Sequence, residues 1–449
     1  MRRLRLSRPK GRGHAKAKHV GADRGFRHFL RVLGPGVITG AADDDPSGIA
    51  TYSQTGAQFG FGQLWTALYQ IPLLLGVQEA CGRIGAVTGK GLAGVIKQHY
   101  SRTILIGLVL LVVVANTINI GADIAAVGEG MNLVVAVPRP ILVVTTAVVV
   151  LALEIFISYA TYAKFLKWLA LALLAYPATT LIVKQPWGEI LYATIVPHIE
   201  LTVSFLFIIT GVFGTSISPY MFFWQASEEV EEERARNIPS KSNGEPRLPK
   251  GFISDLRIDT AAGMIAAEAA QWFIIITTAS VLYRNGVTNI QTAADAAKAL
   301  EPLVRSFPNA GEVARIIFAV GIVGLGLLGI PVLAGAAGYA LSEAFGWKEG
   351  LSRKWNEAPG FYGVITVATL VGLSLNFIGL DPMKALVFTA VFNGIAAVPL
   401  LFVIARINGN AAIMGKYRGG ILSRVTVWVT FGVMALSGGA LIYTTISGR

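Results

Sequence analysis

The chain has 449 residues, of which 53% are hydrophobic and only 14% carry a formal charge. A soluble domain carries about 25% charged residues, so this composition excludes an ordinary soluble protein. Apolar stretches of roughly 20 residues recur along the whole length, as they do in transmembrane proteins. They predict one all-α polytopic membrane protein of about eleven helices.

The first 31 residues form a basic arm, in which eleven residues are Lys or Arg and Asp23 is the one acid. Next to a membrane domain, such an arm predicts a disordered cytoplasmic tail that touches anionic lipid headgroups. A basic arm can also bind nucleic acid, but we expect no nucleic-acid partner here. We also expect no signal peptide, because the arm is long and leads into an interrupted apolar helix.

The apolar stretches predict a single transmembrane domain over residues 32–449. Its spans fall at about 34–59, 62–85, 103–131, 139–158, 160–183, 201–226, 259–283, 312–343, 361–380, 382–406 and 425–447. With the N-terminus in the cytoplasm, most Lys and Arg residues between spans fall in inner loops, and an odd helix count places the C-terminus outside. We therefore expect a multi-pass protein of the cell inner (plasma) membrane.

The first span, GPGVITGAADDDPSGIATYSQTGAQFG, holds three adjacent acids, a proline and a glycine at 43–48. Each ionised Asp costs about 2.5–3.5 kcal/mol at the centre of a membrane helix, even on a lenient scale. The sixth span, FLFIITGVFGTSISPYMFFWQAS, is interrupted in the same way at 214–219. Broken backbone is tolerated at this depth only where it lines a polar cavity. The two breaks therefore predict two halves of one binding site.

Breaks in the first and sixth spans are typical of a LeuT-type inverted repeat, in which two five-helix halves enclose a site at the bilayer midplane. We predict repeat one at about 34–183, repeat two at about 201–406 and an eleventh helix at about 425–447. One enclosed site favours alternating access over a channel with a continuous pore. We expect no enzyme, because none of the five His residues lies beside a candidate nucleophile.

The two interrupted segments carry a family resemblance. GPGVITGAADDDPSGIATYSQTGAQFG and GVFGTSISPYMFFWQAS resemble the first and sixth helices of NRAMP divalent-metal transporters, which carry Asp-Pro-Gly-Asn and Met-Pro-His motifs. The similarity extends over helices 1–10 in spacing and order. It implies the LeuT fold and, since family members typically couple metal entry to protons, a secondary active transporter without a cofactor.

The resemblance keeps some of the family's site residues. It implies that the metal-binding Asp is Asp45 and that Ala42 supplies the neighbouring carbonyl. The family's Asn, an oxygen ligand, is replaced by Gly48. In the third helix the proton-relay Asp matches Asp123, and a glutamine of the tenth helix that encloses the ion is replaced by Asn393.

In the sixth helix the resemblance implies that the family's donor groups are lost. Its sulfur-donating Met falls on Ser218, and the small residue one turn earlier falls on Thr215. The His after the motif proline is Tyr220 here, and a second His five residues later is Gln225, which we place on the coupling or proton path. Thioethers favour borderline ions such as Mn²⁺ over Mg²⁺ and Ca²⁺, so this preference is removed.

Two substrates remain open. A hydrated hard cation such as Mg²⁺ needs only one or two carboxylates, with Asp45 as the ligand and hydroxyls from Ser47, Thr215 and Ser218 beside it. A small polar non-metal solute could use the space at Gly48 together with those hydroxyls. We favour the non-metal solute, because the sequence supplies no assured second acid beside Asp45.

The other two acids of the first break have alternative roles. We expect Asp44 either to cap the second half-helix or to act as a ligand or proton carrier, since a carboxylate suits a helix N-terminus. We expect Asp43 to face water or a helix dipole. The predicted partners are therefore a small-molecule or ion substrate and the lipid bilayer.

Overall fold

The computed structural model describes residues 34–157, 170–235, 241–242, 245–246, 248–379 and 381–447. The predicted basic tail at 1–31 lies outside these ranges, and so does the first half of the predicted fifth span. Seven helical segments of the described chain are long and apolar enough to cross a membrane.

The helices follow the predicted spans closely and add short connecting helices. In chain order they are α1 (Pro35–Asp43), α2 (Pro46–Phe59), α3 (Trp65–Thr88), α4 (Leu92–His99), α5 (Arg102–Asn132), α6 (Arg139–Phe156), α7 (Ala175–Ile182), α8 (Trp187–Ile195), α9 (Val203–Ser216), α10 (Pro219–Ala235), α11 (Phe252–Val281), α12 (Ala293–Ala297), α13 (Glu301–Val304), α14 (Ala310–Phe345), α15 (Pro359–Leu375), α16 (Pro382–Asn408), α17 (Ala411–Met414) and α18 (Ile421–Ser447). Short 3₁₀ helices occur at Ala170–Leu174, Tyr283–Asn285, Lys298–Leu300 and Gly415–Tyr417, and two-residue strands β1 (Lys241–Ser242) and β2 (Glu245–Pro246) pair antiparallel.

The outer surface of the bundle is apolar. Phe156, Leu181, Leu436 and Ile446 expose 72–81% of their surface. Large apolar side chains on the outside of a helical bundle are suited to contact with lipid tails rather than water. The interior, in contrast, holds many buried polar and charged side chains around the two broken spans.

Glycines bring the broken helices into close contact with their neighbours. A Cβ on Gly40 of α1 would lie 2.6 Å from the Cα of Gly263 in α11, and a Cβ on Gly214 of α9 would lie 2.6 Å from the Cα of Gly394 in α16. Only glycine allows backbones to approach so closely, as in small-residue contacts between membrane helices. These contacts fix α1 against α11 and α9 against α16, with the two breaks between them.

Candidate substrate site between two broken helices

The first break lies between α1 and α2. Asp44 leaves the helical conformation (φ −85°, ψ 39°) and Asp45 is extended (φ −61°, ψ 173°). Pro46 then starts α2, where its missing N–H costs nothing. The Asp45 Oδ1 accepts the backbone N–H of Gly48 at 2.9 Å and the Ser47 hydroxyl at 2.6 Å. Asp45 is therefore the N-cap of α2, and the expectation that Asp44 takes this role is wrong, because a capping oxygen must come from the residue just before the first helical one.

The second break lies between α9 and α10. Ile217 is the non-helical residue (φ −102°, ψ 60°), and Pro219 begins α10. The Ser218 hydroxyl lies 2.5 Å from the Gly214 carbonyl and 2.9 Å from the Thr215 carbonyl. Pro219 has no N–H to donate to the Thr215 carbonyl, and the Ser218 hydroxyl supplies a donor within reach of both carbonyls. The Ser218 hydroxyl is thus hydrogen-bonded to the backbone of the preceding turn.

The two breaks face each other. The Ser47 and Thr215 hydroxyl oxygens lie 3.2 Å apart. On the α1 side, the Tyr220 hydroxyl donates to the Ala42 carbonyl at 3.0 Å. On the α2 side, the Tyr52 and Ser216 hydroxyl oxygens are 2.8 Å apart. The structure therefore brings residues 42–48 and 215–220 into one buried site, with contacts on both sides of each break.

A third helix joins the site through an amide. Asn119 of α5 donates to Asp45 Oδ2 at 3.1 Å, and its Nδ2 lies 3.3 Å from Asp123 Oδ2. Asn119 and Asp123 are one helical turn apart and both fully buried. One amide thus connects two carboxylates. Sequence reasoning missed Asn119, although its i, i+4 spacing to Asp123 places both side chains on one helix face.

Five carboxylates are buried around the breaks: Asp43, Asp44, Asp45, Asp123 and Glu268 expose at most 4% of their surface. Asp43 lies within electrostatic range of Asp44, Asp45 and Glu268. None of the five forms an ion pair with a Lys, Arg or His of the described residues. Of the two alternatives for Asp43, water or a helix dipole, contact with bulk water is wrong, because Asp43 is only 1% exposed. It is the last residue of α1 and lies at the negative end of the dipole of that helix.

Several of these carboxylate oxygens lack any hydrogen-bond partner within the described chain. They are Asp43 Oδ1, Asp44 Oδ1, Asp123 Oδ1 and Glu268 Oε1. A buried carboxylate without compensation is expensive, and it is stabilised by a cation or by protonation. Sequence reasoning also missed Glu268, which lies inside the apolar helix α11. An acid in a membrane span is itself a signal of function.

A second polar group links α1 to α10. The Thr39 hydroxyl donates to Gln225 Oε1 at 2.7 Å, and Gln225 Nε2 donates to Glu229 at 3.1 Å. Gln225 therefore lies on a polar line that leads away from the break along α10. Asn393, on α16, is buried, and its amide atoms have no partner among the described residues. Asn393 therefore forms no hydrogen bond with Asp45 in the described chain.

The available donors at the site are oxygen atoms. Within the described ranges, no group of three or more His, Cys, Asp or Glu side chains has a geometry that could hold a metal ion. The carboxylates, the hydroxyls of Ser47 and Thr215 and the Ala42 carbonyl can contact a cation, but they do not form a closed cage. A cation here would have to keep other ligands, and water is the ligand at hand.

Comparisons with known proteins agree on one family. The sequence model described as "Natural resistance-associated macrophage protein-like" (Nramp) matches residues 36–444. A divalent metal cation transporter, MntH, from Caldanaerobacter subterraneus subsp. tengcongensis is 24% identical over 440 residues, which cover 94% of this chain and 95% of that protein.

Solved structures show the same fold. The manganese transporter of Eremococcus coleocola, in complex with an aromatic bis-isothiourea compound, superposes with a TM-score of 0.75 at 16% identity and covers 96% of this chain and 90% of its own. The nucleobase-cation-symport transporter Mhp1, in a closed conformation, gives a TM-score of 0.52 at 14% identity, covering 91% of this chain and 90% of its own. The predicted all-α LeuT-type fold is thereby confirmed.

Proposed function

This chain belongs to the NRAMP family of membrane transporters, and we propose that its substrate is a divalent metal cation that keeps part of its hydration shell, as Mg²⁺ does. It is a membrane protein with the LeuT fold and not an enzyme. The proposal is supported by one observation above all: five buried carboxylates surround the two breaks without a basic partner among the described residues.

The negative charge of the buried carboxylates supports a cation as the substrate. With a neutral or anionic solute, protons alone would have to offset all five carboxylates, whereas a divalent cation offsets two charges and leaves fewer to protons. The Caldanaerobacter relative is likewise named as a divalent metal cation transporter. The sequence-based preference for a non-metal solute finds no support in that relative, and we replace it with a metal substrate.

A hard, partly hydrated ion follows from the donor set. Ser218 and Tyr220 stand where the resemblance implies a Met and a His, so the site offers carboxylate, hydroxyl and carbonyl oxygens. Such donors suit Mg²⁺, Ca²⁺ and Mn²⁺ rather than soft ions. Because no closed cage of protein ligands is present in the described chain, an ion that retains waters fits best.

Packing at Gly48 argues against a bulky organic solute. A Cβ at this position would lie 3.1 Å from the Asp43 carbonyl oxygen, 3.3 Å from the Tyr52 ring and 3.4 Å from the Thr215 hydroxyl. The missing side chain is therefore used for close contact and does not open a cavity. An ion with a few waters needs less room than an amino acid or an amine.

We assign the roles within the proposed site as follows. Asp45 binds the cation at the centre, with Ser47, Thr215 and the Ala42 carbonyl beside it. Asp44 and Asp123 carry protons, and Asn119, whose amide donates to both Asp45 and Asp123, is a positioning residue that holds the two carboxylates together. Gln225 lines the route along α10 toward the cytoplasm, in a plasma-membrane topology with the N-terminus inside.

The test is uptake into proteoliposomes that contain a Mg²⁺-sensitive dye. We expect saturable Mg²⁺ uptake by the unaltered protein, and at least tenfold slower uptake by Asp45→Asn, which keeps the shape of the side chain but removes its charge. Glu312→Gln, which removes an exposed acid at the start of α14, serves as the control and should transport normally.

Three outcomes would contradict the proposal. Normal uptake by Asp45→Asn would remove the assigned site. Saturable Mn²⁺ uptake that a hundredfold excess of Mg²⁺ fails to inhibit would show a selective transition-metal site and exclude the hydrated hard ion. An absence of uptake for every divalent cation tried, with uptake of an organic cation, would restore the small polar solute.

A further inference from the structure

A basic cavity lies at one end of the bundle, apart from the two breaks. It has a volume of about 780 Å³ and lies between the end of α3, the start of α11 and the α17–α18 connection. Five of the described residues that line it are cationic, and none is acidic: they are Arg83, Lys250, Arg257, Lys416 and Arg418.

One of these cations is buried with spare hydrogen-bonding capacity. Arg83 is only 2% exposed, and its Nη2 contacts Glu79 and the Ser423 hydroxyl, the latter at 3.0 Å. Its Nε has no hydrogen-bond partner within the described chain. A buried guanidinium N–H without an acceptor is costly, so an acceptor that enters this cavity would be stabilised there.

The positive charge of the cavity exceeds its internal compensation. Glu79 is shared between Arg83 and Arg257, the second contact being 2.9 Å long. Lys250, Lys416 and Arg418 form no ion pair with any residue in the described ranges. One carboxylate therefore faces five cationic side chains, and the cavity favours an anion with more than one negative oxygen.

The start of α11 adds backbone donors to the same cavity. Gly251 and Ser254 line it, and no described side chain caps this 30-residue helix. The N–H group of Phe252 donates to the Pro249 carbonyl at 3.2 Å, so a phosphate oxygen would be held by the N–H groups that follow it and by the positive end of the helix dipole. The observation is independent of the Arg83 contact and indicates the same class of ligand.

The cavity is bordered by apolar surface on the side of the membrane. Ile421 and Leu422, which begin α18, expose 75% and 78% of their surface, and Ile258 follows Arg257 on α11. Charged residues at a helix end and apolar residues next to them match a molecule with a charged head and an apolar tail.

From these contacts we infer that the cavity binds a phosphate-bearing anion, with the headgroup of an anionic phospholipid as its source. Arg83 and the α11 N-terminus contact the phosphate, Lys416 and Arg418 contact its outer oxygens, and the acyl chains lie against α18. The site is independent of the proposed transport site, because none of its residues belongs to either break.

The experiment uses the full-length protein in detergent and measures lipid adducts by native mass spectrometry. We expect phosphatidylglycerol to bind more tightly than phosphatidylcholine. The double variant Lys416→Gln/Arg418→Gln should bind phosphatidylglycerol about twenty-five-fold more weakly, since each cation near an anionic headgroup contributes about fivefold. The control is Lys90→Gln/Arg102→Gln, which removes two exposed cations outside the cavity and should bind as the unaltered protein does.

A second measurement distinguishes the source of the phosphate. Inorganic pyrophosphate is added to delipidated protein, and thermal unfolding is followed. If pyrophosphate competes with phosphatidylglycerol for binding, the result supports the cavity as the lipid site and shows that it recognises the phosphate group. Stabilisation by pyrophosphate without any preference for phosphatidylglycerol supports a soluble phosphate ligand instead of a lipid. Equal binding of the two lipids with no effect of pyrophosphate overturns the inference, and so do equal losses in the cavity variant and in the control.

Discussion

Hydrogen bonds from the start of α1 to Asp259 on α11, here called the clamp, predict how the site opens at its α1 end. The Asp259 carboxylate, on α11, accepts the backbone N–H groups of Gly34 at 2.7 Å, Gly36 at 2.7 Å and Val37 at 3.3 Å. Hydrogen bonds to a charged group contribute about 1.5–3 kcal/mol each. Asp259→Asn replaces one acceptor with a donor, so it removes at least one of these bonds and weakens the others.

We expect a loss of about 3 kcal/mol in the closed state, which corresponds to about a hundredfold larger population with α1 detached. Thiol labelling measures this population. Thr39 is fully buried in the closed state, so a cysteine introduced by Thr39→Cys should react only when α1 separates from α10. Thr39→Cys itself removes the hydrogen bond to Gln225, so the rate is compared between Thr39→Cys and Thr39→Cys/Asp259→Asn. Cys81 is the one native cysteine and is also fully buried, so protein without the new thiol gives the background rate.

The control for the clamp is Asp255→Asn, which removes the same charge one turn earlier on α11 and should leave the labelling rate of Thr39→Cys unchanged. If Asp259→Asn raises the rate less than threefold, the carboxylate does not hold α1 closed. If Asp255→Asn raises it as much as Asp259→Asn, the effect is general loosening of α11 and the reasoning fails.

Two further predictions concern packing and the amide bridge. Gly214→Ala should lower the melting temperature clearly, because the new Cβ would lie 2.6 Å from the Cα of Gly394 and overpacking costs about 1–3 kcal/mol or more. Its control is Gly363→Ala, whose new Cβ would have nothing within 4 Å. This variant should leave the melting temperature unchanged or raise it. Asn119→Ala should slow cation uptake and lower the melting temperature, since the Asp45 carboxylate loses a donor worth about 1.5–3 kcal/mol. Equal melting temperatures for the two glycine variants, or normal uptake by Asn119→Ala, would contradict these expectations.

The breaks could be predicted from the sequence because their causes are local. Pro46 and Pro219 each remove a backbone donor in an apolar span, and the spans around them read as helices by hydropathy alone. Some element bounds agree closely with the prediction, as in α5 (Arg102–Asn132) against 103–131. Others differ more, since α10 ends at Ala235 where the sixth span is predicted to end at 226, and α11 begins at Phe252 where the seventh is predicted to begin at 259. The LeuT-type fold could be predicted because the two breaks fall in the first and sixth spans.

The details of the site depended on packing, which the sequence does not display. Three adjacent acids precede α2, and a shift of the helix start by one residue changes which of them is the N-cap. Whether Gly48 opens a cavity or allows close packing depends on which atoms of α1 and α9 lie opposite it. The position of Glu268 depends on the face that α11 turns toward α1. Asn119 is the exception, since its spacing to Asp123 was visible in the sequence.

The contacts at the site divide the residues into two groups. Opening at the α1 end must break the bonds from Asp259 to α1, from Thr39 to Gln225 and from Tyr220 to Ala42. It leaves the cap of α2 and the contact between Ser47 and Thr215 in place.

In such an opening, Asp45 would stay with α2, while Asp43, the last residue of α1, would move with the detached half. A cation held by both groups would cross the gap between them and resist separation. Protonation of the moving carboxylate would weaken that attraction, so with the proposed cation as substrate, the charge state of the acids at the first break would set how readily α1 leaves and the ion is released.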